Sequence, residues 1–282
     1  MNDRPSLISL IDERLESGKA ELPVFDNVAL RISREAREGR LDADGLCLIL
    51  QEDPALVGEV MRMANSSFFR GLSEVRTLRE AAVRLGVKQI AAITMSASQK
   101  RMYSASKGPF KARLVQLWLH ASAVSTAARW LAVHIGSRNL ADEAHVAGLL
   151  HDVGKMSLLR IIEDIVAADP SVRLTNELVA AALDRLYCEH GARLLELWNL
   201  PESFRRVVRH QADETLDDSD VTLCIVRLAD KACALEGISD RPDPAVVLET
   251  LPETRALGLC EIDLAELRLT IEDCEGARKK AA

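Results

Sequence analysis

The sequence predicts an all-α fold, a multi-helix bundle in which an N-terminal helical lobe packs on a second helical lobe. Two observations lead there. The apolar content is Leu, Ala, Ile and Val with only 4% aromatic residues, a mixture suited to helix-on-helix packing. Apolar residues also recur at helical spacing in one segment after another, and the segments are separated by capping residues, glycines and prolines. At 282 residues the chain is long enough to bury one large core or two modest ones.

In order, residues 6–17 carry Leu7, Leu10, Ile11 and Leu15 on one side and end at Gly18. Leu22-Pro23-Val24-Phe25 is an extended apolar entry, after which Asp26 or Asn27 caps a helix to about Arg37. Asp44 or a neighbour caps a short helix bearing Leu46, Leu48, Ile49 and Leu50. Asp53-Pro54-Ala55-Leu56 places an aspartate cap before a proline in the first helical position. That helix runs to Ala64-Asn65-Ser66, with a turn at Arg70-Gly71. Thr77 and Glu80 have capping-box spacing and predict a helix from Leu78 to Gly86, with another from Val87 to about Met102. Ser104-Ala105-Ser106-Lys107-Gly108-Pro109 is polar and broken by Gly-Pro, so the lobe boundary is expected there, between residues 1–109 and 110–282.

The longest predicted helix spans Phe110 to about Val133, and His120 lies on its apolar line with Leu117, Val124, Ala127 and Leu131. The next, from about Ala141, brings small residues Ala144, Ala147 and Gly148 beneath His151, so that another helix can approach closely. Asp152 is adjacent to His151, and Gly154 is expected to let the backbone turn before Lys155. A helix over 156–168 ends at Asp169-Pro170, and another, from Asn176 to Trp198, carries His190 on a stripe with Leu183, Tyr187, Leu194 and Leu197. Leu200-Pro201 starts a helix that reaches His210, with Gln211 following. In the helix over 221–230, Asp230 shares a stripe with Leu223, Val226 and Cys233, where an ionised carboxylate costs several kcal/mol unless it is paired or metal-bound. Pro242, Pro244 and Pro252 punctuate the tail, and Asp263 is placed to cap a last helix.

The net charge of -7 argues against direct nucleic-acid or anionic-membrane binding by the whole chain. No apolar run is long enough to span a bilayer, the first residues lack the apolar core of a signal peptide, and the cytoplasm is expected. The six cysteines are scattered without a CxxC pair and read as buried reduced thiols rather than a disulfide or zinc framework. There is no GxxxxGK[ST] phosphate loop and no GxGxxG.

His120, His151, Asp152, His190, His210 and Asp230 come from five predicted helices, and inward-pointing polar residues on so many helices call for a shared polar cavity. Neutral imidazoles with carboxylates suit divalent iron, manganese, zinc or nickel. His134 and His145 lie elsewhere, the former near a helix end.

At these residues the chain resembles the HD superfamily of metal-dependent phosphohydrolases, whose upstream His, His-Asp pair and distant Asp are matched by His120, His151-Asp152 and Asp230. More narrowly it resembles an HDOD domain, the HD-related output domain of bacterial signalling proteins. The supporting residues are Leu22-Pro23, Asp53 to Leu56, Ala64 to Ser66, Leu85-Gly86, Trp118 to Ser122, Gly148 to Lys155 and Trp198 to Pro201. The chain departs at Phe25-Asp26, where such domains repeat Leu-Pro. It departs again at Gln211, where the HD-GYP cyclic-dinucleotide phosphodiesterases carry a second histidine, and no Gly-Tyr-Pro follows.

The resemblance implies one or two divalent ions held by His151, Asp152 and Asp230, with His120 completing one shell and His190 and His210 binding a second ion or a phosphate. It implies catalytic parts for His151, Asp152 and Lys155, with Lys155 pairing a substrate phosphate, although a lysine after a glycine also fits a solvated helix start. The expected function is a bacterial signalling module that relays a state to a partner protein or a small phosphorylated ligand. The alternative is a phosphohydrolase or phosphodiesterase acting on a nucleotide or cyclic dinucleotide.

Overall fold

The computed structural model describes residues 6–18, 20–66, 69, 74–106 and 108–279, with side chains to residue 273. It is helical throughout, without a strand among the described residues. The expected turn at Arg70-Gly71 lies outside them. The chain divides into two compact units, one of residues 24–102 and one of residues 1–23 with 103–282.

The 24–102 unit holds α2 (Asn27–Arg37), α3 (Ala43–Leu50), α4 (Pro54–Ala64), α5 (Leu78–Leu85) and most of α6 (Val87–Ser104). Local chemistry sets the helix starts. Asp26 Oδ1 accepts from Val28 N and Ala29 N, and Asp53 Oδ1 accepts from Ala55 N and Leu56 N ahead of Pro54. Thr77 and Glu80 form the full capping box. The cap of α3 is Asp42 rather than Asp44, because its carboxylate reaches Gly45 N at 2.8 Å while Asp44 already lies in the first turn. Asn65 ties the end of α4 to the following segment, accepting from Val75 N at 2.8 Å and donating to Val75 O at 2.9 Å.

In the other unit, α7 (Lys111–His134) is the axial helix and packs against α8 (Ala141–Leu150), α12 (Val221–Leu235) and α14 (Glu261–Lys279). Its residues Leu114, Leu117, Val124, Ala128 and Leu131 are fully buried. α9 (Val153–Ala168) packs on α10 (Asn176–Leu197), and α10 on α11 (Glu202–His210). α1 (Leu7–Glu16) lies against α9 and α10. The Trp198 indole donates to Pro23 O at 3.0 Å, which pins the Leu22-Pro23 segment to the end of α10. The short α13 (Pro252–Ala256) packs on α12. Ser106 lies in this unit, where its hydroxyl donates to Glu163 at 2.9 Å.

Two starts differ from expectation. α9 begins at Val153, so Gly154 is helical, and its role is close approach rather than a turn. A side chain there would collide with the carbonyl oxygen of Tyr187 on α10, and the Gly191 nitrogen would lie 3.0 Å away. Asp263 acts from inside α14, accepting from Cys260 N at 2.7 Å. Gly148 does allow the expected approach, because a Cβ would stand 3.0 Å from Ser125 Cα on α7.

Candidate metal centre

The packing of α7 on α8, and of α12 on both, brings one side of each to a common point. His151 and Asp152 occupy the two-residue turn between α8 and α9, His120 projects from the middle of α7, and Asp230 from α12. The ligand atoms of His120, His151 and Asp230 all lie within 4.8 Å of one another. His120 Nε2 is 3.1 Å from His151 Nε2 and 3.0 Å from Asp230 Oδ1. Asp152 Oδ2 stands 3.6 Å from His120 Nε2 and 3.5 Å from His151 Nε2.

The other ring nitrogens explain this arrangement. His120 Nδ1 lies 2.7 Å from Ile238 O, and His151 Nδ1 lies 2.7 Å from Gly148 O. A carbonyl only accepts, so each Nδ1 carries the proton and each Nε2 turns a lone pair inward. Two lone pairs 3.1 Å apart repel unless a proton or a metal ion lies between them. Histidines that bind metals almost always give their second N–H to a carbonyl or carboxylate in this way. Donors bound at about 2.1 Å to one ion stand about 3.0 Å apart at a right angle and about 3.4 Å apart at the tetrahedral angle, and the separations here run from 3.0 to 3.8 Å. The residues present therefore fit a divalent ion.

Burial opposes a charge on His120, but the hydrogen bond and charge of Asp230 outweigh it and raise its pKa, so a proton on His120 Nε2 and a metal ion compete for the same place. His151 is lowered, chiefly by burial. Burial opposes ionisation of Asp230, yet His120 holds its carboxyl well below the usual carboxylate range. The same opposition at Asp152 is overcome by Lys155 first and then by the two histidines. The two carboxylates thus stay ionised beside the histidines, with Lys155 as the neighbouring positive charge. The cluster is closed on the histidine side, where His120 and His151 are 1% exposed, and open at Asp230, whose side chain is 41% exposed.

Lys155 is no solvated helix-start residue. Its Nζ lies 2.8 Å from Asp152 Oδ2 and 3.2 Å from Asp240 Oδ1, over the ring of Tyr187 at 4.9 Å. Burial opposes its charge, but Asp152 and then Asp240 hold the ammonium above its ordinary range.

His190 and His210 do not join the group. His190 Nε2 meets Ser157 Oγ at 2.9 Å, and burial pushes its pKa down to about 4. His210 is half exposed and its Nδ1 pairs with Asp213 Oδ2 at 2.8 Å. The stripe reading identified the buried side of α10, but which neighbour that side meets is set by tertiary packing. His145 Nδ1 donates to Ser125 O at 3.2 Å, and His134 pairs with Asp263. The arginines of α11 pair with acidic groups, Arg205 with Glu202 and Arg206 with Asp220. Of the cysteines, Cys224 and Cys233 are buried as expected, whereas Cys260 is exposed.

Four supporting groups lie beyond the sequence reading. The Ile238 carbonyl orients His120, Asp240 and Arg113 flank Lys155, and the Gln211 amide donates to the carbonyl of His151. The last fills with a neutral anchor the place where a further histidine was looked for. Only the Asp-rich, proline-broken run after Gly237 hinted at the loop that bears two of these groups.

A family model described as the HDOD domain matches residues 22–214. An uncharacterized protein of Treponema pallidum (strain Nichols) is 23% identical over 194 residues, which are 67% of this chain and 37% of that protein. The chain thus spans little more than a third of the length of that relative. Among solved structures, an HDOD domain protein with unknown function from Geobacter sulfurreducens matches at a TM-score of 0.75 and 22% identity, covering 97% of this chain and 95% of that one. A candidate metal-dependent phosphohydrolase from Shewanella amazonensis SB2B matches at 0.71 and 18% identity, covering 95% and 97%. A candidate signal transduction protein from Marinobacter aquaeolei VT8 matches at 0.69 and 20% identity, covering 96% and 65%. At such identities the likeness is one of fold.

Proposed function

The chain belongs to the HDOD domain family, and on that premise we propose that it is a bacterial, cytoplasmic signalling module whose HD cluster holds a divalent ion and relays the state of that site to a partner. The partner is a signalling protein or a small phosphorylated ligand. The observation that carries this reading is the convergence of two carbonyl-anchored imidazoles on Asp230, with their Nε2 atoms 3.1 Å apart. His120, His151 and Asp230 are the ligands, and Asp152 is the fourth group, shared between the ion and Lys155. Iron, manganese, zinc and nickel all suit such a donor set.

Relay is favoured over turnover by what the cluster lacks in company. His190 and His210, the residues expected to hold a second ion, make their hydrogen bonds elsewhere. The supporting bonds run from the cluster to the surrounding helices and loops: Gln211 reaches His151 from the end of α11, and Ile238 reaches His120 from the loop after α12. A change at the cluster therefore acts directly on two surface-reaching segments.

Hydrolysis of a phosphate ester is the second reading, and the exposed side of Asp230 beside Lys155 favours it. An ion held by His120, His151 and Asp230 would polarise a phosphoryl oxygen and lower the pKa of a water toward neutrality. Lys155 orients the phosphate, and Asp152 holds Lys155.

Metal content of the purified wild type, compared with His151→Ala and Asp152→Ala, tests the shared premise. Metal in the wild type and its loss in both variants is expected, whereas equal, near-zero content in all three removes both readings. A panel of nucleotides and cyclic dinucleotides then separates them, since metal without turnover favours relay.

A further inference from the structure

We infer that Asp240 is a built-in anion that occupies a phosphate-binding subsite formed by Lys155 and Arg113, and that a phosphorylated ligand enters by displacing it. The inference deepens the reading above and rests on it for the neighbouring ion, but the subsite itself is made of residues that bind no metal.

The subsite comes from two helices. Lys155 stands in the first turn of α9 and Arg113 near the start of α7. Their cationic groups meet at one carboxylate, with Asp240 Oδ1 3.2 Å from Lys155 Nζ and Asp240 Oδ2 3.7 Å from Arg113 Nη2. The Asp240 side chain is 4% exposed, so it is withdrawn from water and faces these two partners. Lys155 links the subsite to the HD pair through Asp152 at 2.8 Å. An anion held between an ammonium and a guanidinium, one residue away from a metal-ligand carboxylate, is where the phosphoryl group of a ligand at the cluster belongs.

The segment that supplies Asp240 is suited to leaving. It follows Gly237, whose φ of 76° ends α12, and it contains Pro242 and Pro244. Residues 241–245 are exposed. Besides Asp240, the segment is held by Ile238 N to Cys233 O, Asp243 N to Ala234 O, the His120 bond to Ile238 O, and an exposed pair between Arg241 and Asp184. Exposed pairs of that kind contribute little. Because Ile238 and Asp240 lie two residues apart, displacing the carboxylate also loosens the carbonyl that fixes the His120 ring. Ligand arrival is thereby read both at the cluster and at the surface of the loop.

The test is binding of inorganic phosphate to the full chain by calorimetry, with hydrogen exchange followed over 236–246. Asp240→Asn is expected to bind phosphate at least about tenfold more tightly than the wild type, and adding Arg113→Gln to it is expected to remove the gain. In the wild type, phosphate is expected to speed exchange at the Ile238 and Asp243 amides. Equal affinity with and without Asp240, or phosphate binding that leaves exchange over 236–246 unchanged, overturns the inference. Should Asp240→Asn not fold, the wild-type exchange experiment still decides. Metal analysis of the same samples keeps the two claims apart. A phosphate gain in metal-free protein retains the subsite and removes the ion, while bound metal without a gain retains the ion and removes the subsite.

Discussion

The Nε2 atoms of His120 and His151 stand 3.1 Å apart, each on a ring whose Nδ1 is committed to a backbone carbonyl. Neither ring can relieve the contact by exchanging tautomers without leaving a buried carbonyl unpaired, which costs about 1–3 kcal/mol. A second proton on His120, or a metal ion in its place, resolves the conflict, and the two histidines are 1% exposed, so either arrives from the Asp230 side.

The close approach of α9 to α10 depends on Gly154. A Gly154→Ala chain places its methyl group against the Tyr187 carbonyl and the Gly191 backbone, neither of which can swing away, so a loss of about 3 kcal/mol or more is expected. Gly58→Ala is the contrast, because that helical glycine has open space around it and alanine there adds about 0.5–1 kcal/mol. Chemical denaturation of the two variants checks the pair of signs.

Acid destabilisation follows from His190. Its pKa is pushed from 6.5 down to about 4, first by burial and then by Arg193. Between those values the unfolded chain takes up a proton and the folded chain does not, so stability is full above about pH 6.5 and falls as pH drops toward 4. At most about 3 kcal/mol is involved. His190→Gln, which retains a partner for Ser157, is expected to flatten the stability profile between pH 7 and pH 5. An unchanged slope contradicts this origin.

Arg227 and Glu253 form a buried pair, with Nε to Oε1 at 2.6 Å and side chains 6% and 0% exposed. Arg227 Nη1 also donates to the carbonyls of His210 and Asp213 at 3.3 and 2.9 Å. Arg227→Ala strands a buried carboxylate and is expected to cost about 3–5 kcal/mol, whereas Arg227→Met with Glu253→Leu costs much less. Additive losses in that double-mutant cycle would falsify the pairing.

How much of this was legible in the sequence depends on distance along the chain. The caps at Asp53 and Thr77 were readable because donor and acceptor lie within three residues. The central cluster was readable because a charged or polar residue on an apolar stripe announces itself, as at His120 and Asp230. His190 sent the same signal and serves a hydroxyl instead, since periodicity identifies the buried side of a helix and not the neighbour it meets. Ile238 could not be found by residue type, because its contribution is a backbone carbonyl that any residue offers. Asp240 carries no local signal that sets it apart from other loop acids, and only the fold brings it to Lys155 across 85 residues.

The most direct test of the central claim is titration of demetallated full-length chain with manganese, followed by electron paramagnetic resonance of the free ion. A single class of tight site is expected in the wild type, lost in both His120→Ala and Asp230→Ala and retained in His210→Ala. Equal manganese uptake by the wild type, His120→Ala and Asp230→Ala, or none by any of them, contradicts it.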